Sequence, residues 1–143
     1  MAVRDPRADQ ALAILRVVIG IVFMAHGYEK FFLIGISGVT GFFSSLGVPL
    51  PSVAAPAIST LELAGGAALI AGFFARPIAF LLMCDVLTAL FLVHLKNGFF
   101  VGKGGVELVM TLAAAALAIA VAGPGTLSAD RVLAARRARG RLS

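Results

Sequence analysis

Charge is scarce in this 143-residue chain: 13% of its residues are Asp, Glu, Lys or Arg, where soluble domains carry about 25%. With 60% hydrophobic residues and a mean hydropathy of +1.02, a water-soluble fold is excluded. Cysteine is nearly absent too. The lone Cys84 cannot close an intramolecular disulfide, and without a C-x-x-C pair the chain cannot run dithiol exchange. That excludes the thiol-redox membrane enzymes built on four helices. A small buried hydrophobe is the ordinary reading of this cysteine. No nicotinamide, flavin or iron–sulfur motif occurs, so electrons for any redox step must come from a partner or from the substrate. No internal repeat is found and no metal site is expected.

What the chain does have is four long apolar stretches, 12–32, 54–74, 77–95 and 105–122. Crossing a hydrocarbon layer of roughly 30 Å takes about 20 helical residues, and each stretch approaches that length. The expected architecture is all-α: a polytopic membrane four-helix bundle over 12–130, preceded by a cytoplasmic segment 1–11 and followed by a basic cytoplasmic tail 131–143. The first stretch, coming after Arg4 and Arg7, also has the look of a signal peptide. Its far end, however, is the polar run His26-Gly27-Tyr28-Glu29-Lys30, and three further spans follow it. Kept as a helix, it makes the number of spans even and puts both termini on one side.

Lys and Arg in short flanking loops stay in the cytoplasm. Arg4, Arg7, Arg16, Arg76, Arg131, Arg136, Arg137, Arg139 and Arg141 fall on the side of the termini, and only Lys30, Lys96 and Lys103 fall opposite. Both termini are therefore expected in the cytoplasm of a bacterial plasma (inner) membrane. The arginine-rich tail is drawn to anionic lipid headgroups in preference to nucleic acid, and Arg16 is expected to snorkel to the same face.

The Arg76-Pro77 turn is short enough to make its two flanking helices antiparallel neighbours, with Pro77 suited to a first helical position. In the long first outer connection, Val39, Phe42, Phe43 and Leu46 recur at i, i+3, i+4 and i+7. Ser37 is a candidate N-cap there, and Gly47 and Pro49 are stop signals. The pattern predicts a short interfacial helix. Gly65 and Gly66 allow close packing of helices or open a niche for a ligand.

Threading the spans brings His26, Glu29 and Lys30 to the outer end of the first helix, and His94, Lys96 and Asn97 to the outer end of the third. Glu62 falls six residues after Pro56, about 9 Å along a helix, and Glu107 opens the fourth. Ionisable groups in a span are costly and usually face a partner or the bundle interior. The structural alternative puts His26, Glu29, Lys30, Lys96 and Lys103 in headgroups and uses a Glu62 contact with His26 or His94 to lock helices. Asp85 stands apart near the midplane, free to relay protons or to pair across a homo-oligomer interface.

Leu15-Arg16, Ala25-His26-Gly27 with Lys30, Glu62 with Gly65-Gly66, His94-Leu95-Lys96-Asn97-Gly98-Phe99-Phe100, Gly104-Gly105 with Glu107, and Gly123-Pro124-Gly125 occur in order over roughly residues 12–130. In these strings the chain resembles the DoxX family of small bacterial membrane proteins. The resemblance implies a four-helix membrane fold and a link to quinone-dependent oxidoreduction as a subunit beside a protein partner. Cys84-Asp85 matches nothing in that pattern.

The function expected is thus a membrane subunit of a quinone-linked redox system with an outer-leaflet polar site. Glu62, His94, His26 and Glu107 are the candidate proton donors and acceptors. His26, His94, Gly65, Gly66 and Asn97 are candidates to hold the quinone. Haem ligation by His26 and His94 is disfavoured, because only two histidines and no attachment motif are present. The alternative is a non-catalytic assembly or interaction protein, with a small-molecule channel or exporter third.

Overall fold

The computed structural model describes residues 5–140; the expectations placed on Arg4 and Arg141 lie outside them. Among the described residues every regular element is helical. Helix α1 spans Pro6–Tyr28 and winds on as a π-helix over Glu29–Ile34. Its start follows from local chemistry: the Asp5 side chain accepts the Arg7 N–H at 2.9 Å, and Pro6 sits where no intrahelical donor is needed. Helix α2, Ile36–Ser45, lies within the first long connection. Its N-terminal boundary is Gly35, whose φ of +79° breaks the preceding π turn, and Ser37 falls inside the first turn, so Ser37 is not the cap.

Helix α3 spans Pro51–Ala71, three residues earlier than expected at each end. Pro51 takes the first turn, Pro56 is carried inside the helix, and Gly72 ends it with φ +71°. Helix α4 covers Ala75–Ala89 and continues through a π segment, Leu90–His94, to Asn97. The tight connection is therefore Gly72 to Phe74, and Pro77 is the third residue of α4, not the first. It is tolerated there because first-turn amides have no carbonyl partner in the helix. Helix α5, Glu107–Ala122, is 16 residues long, about 24 Å. It is shorter than the expected fourth span because Gly105 is held in the preceding loop: a Cβ there would lie 2.5 Å from Gly98 O. Helix α6 covers Ala129–Gly140, is basic and buries no residue.

Among the described residues, three helices are long and apolar enough to cross a membrane: Pro6–Ile34, Pro51–Ala71 and Ala75–Asn97. Helix α5 is a shorter apolar helix packed along α4, and α1 packs along α3. The α1–α3 seam is close because it is made of glycine. A Cβ on Gly66 would lie 2.5 Å from Met24 N and 2.6 Å from Gly20 O, so a side chain there would push two backbones apart. Phe23, Leu69, Leu82 and Ile119 form the fully buried centre.

At the end that carries both termini, the segment after α5 folds back over the bundle. Arg16 is only 3% exposed, and its guanidinium donates to Pro124 O and to Leu127 O, each at 2.7 Å. This overturns the snorkelling expectation: two backbone carbonyls hold the two terminal nitrogens inside the protein, while the buried Nε meets no acceptor among the described residues. Thr126 Oγ1 donates to Asp9 Oδ2 at 2.7 Å. Asp130 accepts the Phe74 and Ala75 N–H groups at 2.8 and 3.0 Å, capping the start of α4.

Candidate functional site

A cavity of about 490 Å³ lies between α3 and α4, beneath α2. Its size falls in the range of small-molecule sites. Phe42, Phe43 and Leu46, the apolar face of α2, form its roof, and Ile58, Leu61 and Leu92 contribute apolar wall. Lys30, Glu62 and Asp85 supply polar groups, with His94 and Cys84 also on the lining.

Lys30 reaches from the π segment of α1 and donates to Glu62 Oε2 at 2.5 Å. Glu62 is buried, and its partner is this lysine, with no histidine in bonding contact. The reading of Lys30 as a headgroup residue is corrected accordingly, since its side chain is only 20% exposed and bonded inward. Glu62 is also deeper than expected. It lies eleven residues after Pro51, about 16 Å along the axis, because the helix starts before Pro56.

Asp85 does not stand apart. Its carboxyl is at hydrogen-bonding range of the Glu62 carboxyl and within electrostatic reach of Lys30. Asp85 Oδ2 is buried and meets no donor among the described residues. Three helices thus contribute one ammonium and two carboxyls to a single mid-span cluster on the cavity wall. Cys84 is exposed, not buried, because it faces the cavity one residue from Asp85.

His94 sits in the π segment of α4, and its Nδ1 lies 2.7 Å from Gly104 O. A carbonyl only accepts, so Nδ1 carries the hydrogen and Nε2 of the neutral ring is an acceptor. Both cavity residues at the far ends of α1 and α4, Lys30 and His94, therefore lie in π-helical turns, which recur at functional sites.

The remaining candidates lie off the cavity. His26 is paired at 3.7 Å with Glu29, and both are substantially exposed. Glu107 opens α5 and accepts the Val101 N–H at 3.0 Å, bracing the loop. Asn97 donates to Val93 O and Gly104 O, each at 3.2 Å, bracing the end of α4. Gly66 packs on the α1 backbone, and the nearest atom to a Cβ on Gly65 would be Ile78 Cγ2 at 3.3 Å. His26 and His94 do not share the cavity lining. Asp85 and Lys30, which line the cavity, were not among the expected site residues, and the signal for Asp85 was available: Glu62 precedes the end of α3 by nine residues and Asp85 follows the start of α4 by ten. On antiparallel neighbours joined by a tight turn, those positions share one depth.

Among the described residues, apolar helices long enough to cross a bilayer, packed around a polar cluster, define a helical membrane protein. The chain belongs to the DoxX family, whose model matches residues 11–95, taking in α1 to α3 and α4 through His94. It is 30% identical over 125 residues to "Inner membrane protein YphA" of Escherichia coli, covering 84% of this chain and 88% of that one. It is 34% identical over 117 residues to "Putative oxidoreductase CatD" of Bacillus subtilis, covering 82% of each. A third relative, "Inner membrane protein YqjF" of Escherichia coli, is 29% identical over 127 residues, 87% of this chain and 93% of that one. No solved structure matches the chain.

Proposed function

We propose that this protein is the integral membrane component of a quinone-linked redox system and that the quinone ring occupies the cavity between α3 and α4. The observation that carries this reading is the cavity itself: about 490 Å³ of largely apolar space with Lys30, Glu62 and Asp85 among its polar groups and His94 also on its lining. A quinone ring needs apolar walls for its faces and polar groups at its carbonyl oxygens, and its two-electron reduction consumes two protons. The cluster and His94 offer donors and acceptors for both tasks. The name of the Bacillus relative, "Putative oxidoreductase CatD", points the same way. A protein partner supplies the electrons.

In this reading the protein is a four-helix bundle in the inner membrane, as its relatives' names suggest, with α5 as a short fourth span and α2 at the interface. Arg7, Arg16, Arg76 and the arginines of α6 lie on the side of the termini, which puts both termini in the cytoplasm by the positive-inside rule. A fluorescent-protein fusion at the C-terminus is expected to light up and a periplasmic phosphatase fusion there to stay inactive. The reverse outcome would invert the site's sidedness.

The site is tested by substitution. Glu62→Gln keeps volume and hydrogen-bonding capacity but removes the acid, and His94→Ala removes the imidazole. Each is expected to lower quinone-linked electron transfer by about 100-fold or more while the protein stays folded. Lys103→Ala, in an exposed loop off the cavity, is expected to change little. Wild-type rates in Glu62→Gln would instead favour a non-catalytic assembly protein in which the cluster only joins helices.

A further inference from the structure

Two carboxyls in contact, one ammonium beside them and a cavity in front raise a question of protons. Glu62 and Asp85 come from different helices, both near the middle of their spans. When both are ionised each can only accept, and two acceptors in contact make no hydrogen bond. The Glu62–Asp85 contact is a bond only when one proton lies between them. Lys30 then neutralises the remaining negative charge through its 2.5 Å bond to Glu62 Oε2. Counted this way, the cluster of one ammonium, one carboxylate and one carboxylic acid is neutral. That is the state least costly to hold at mid-span.

No other titratable group closes this account. The cavity lining adds only His94, whose Nδ1 is committed to Gly104 O, and Cys84. Helix α5, packed on α4, carries one acidic residue, Glu107, at its far end, where it bonds to Val101 N. His26 and Glu29 pair with each other outside the cavity.

We infer that Lys30, Glu62 and Asp85 form a one-proton store on the cavity wall, and that the carboxyl pair presents this proton to a ring oxygen of a ligand bound in the cavity. The ligand class rests on the quinone reading above; the stored proton does not. During reduction by an external electron donor, the carboxyl O–H bond breaks as the ring O–H bond forms. The pair is left as two carboxylates facing Lys30, to be reloaded from water, and the second proton the quinol needs comes from solvent.

Infrared spectroscopy of the full-length protein in an ester-free detergent reads the store directly. The chain has seven acidic side chains, few enough for single substitutions to assign a band. Near neutral pH the ligand-free protein is expected to show the carbonyl stretch of a protonated carboxyl. Either Asp85→Asn or Glu62→Gln should abolish it, because the carboxyl left behind pairs with Lys30 as an ion. A band that survives Glu62→Gln and vanishes in Asp85→Asn would mean that Asp85 is simply buried as an acid, and would overturn a shared proton. Absence of the band in the wild type would overturn the store outright. Adding a short-tailed benzoquinone should shift the band. Bound benzoquinone with an unmoved band would overturn the presentation step, and failure to bind, with the band present, would overturn the quinone reading while the store stands.

Discussion

Replacing Arg16 with alanine is expected to destabilise the protein by about 3–6 kcal/mol, the sum of two hydrogen bonds from a charged donor at about 1.5–3 kcal/mol each. The bonds run to Pro124 O and Leu127 O, the carbonyls of the segment that folds back over the bundle, and both would lose a donor where water has little access. Arg16→Lys should recover only part of the loss, because one ammonium does not reproduce the planar fork that reaches two carbonyls. Arg76→Ala is the matching control: its contact with Ala122 O is long, 3.5 Å, and exposed, so a change within about 0.5 kcal/mol is expected. Denaturant unfolding in micelles measures all three. A loss below about 1 kcal/mol for Arg16→Ala would return that residue to the headgroups.

Lys30→Met should cost about 3–5 kcal/mol, the range for removing one partner of a buried ion pair. Glu62 is 7% exposed and would face Asp85 with no cation between α1 and α3. Adding Glu62→Gln in that background removes the stranded charge and should restore at least half of the lost stability. It should not restore quinone-linked activity, because the acid is gone as well. A stable Lys30→Met single variant would show that the lysine is anchored outside the bundle and would dissolve the cluster.

Helix α2 shows how far local pattern reaches. The spacing of Val39, Phe42, Phe43 and Leu46 is a property of neighbouring residues, and the helix forms there with Val39 buried and the other three roofing the cavity. Its boundary was less legible, because the change from π turn to helix at Gly35 depends on how α1 ends. Glu62 and His94, singled out for the cost of a polar side chain in an apolar run, both line the cavity. His26, Glu107 and Asn97 carried a similar signal at the helix ends, yet in the structure they hold an exposed pair, a loop and a helix terminus.

By itself, then, the amino-acid sequence determined the helical membrane class, the family, the approximate spans and the segregation of arginine to one end. The family rests on its motif strings in their order; the rest follow from the transfer cost of residues taken one at a time, or from periodicity along a single helix. Only the tertiary structure decided that Lys30 bonds Glu62, that Asp85 joins them, that Arg16 clasps the segment after α5, and that Cys84 faces a cavity. Those contacts depend on the depth and rotation of one helix against another, and both are set by glycine seams, π turns and the tight α3–α4 connection acting together. A shift of one residue in register turns a helical side chain by about 100°, enough to exchange a buried partner for lipid.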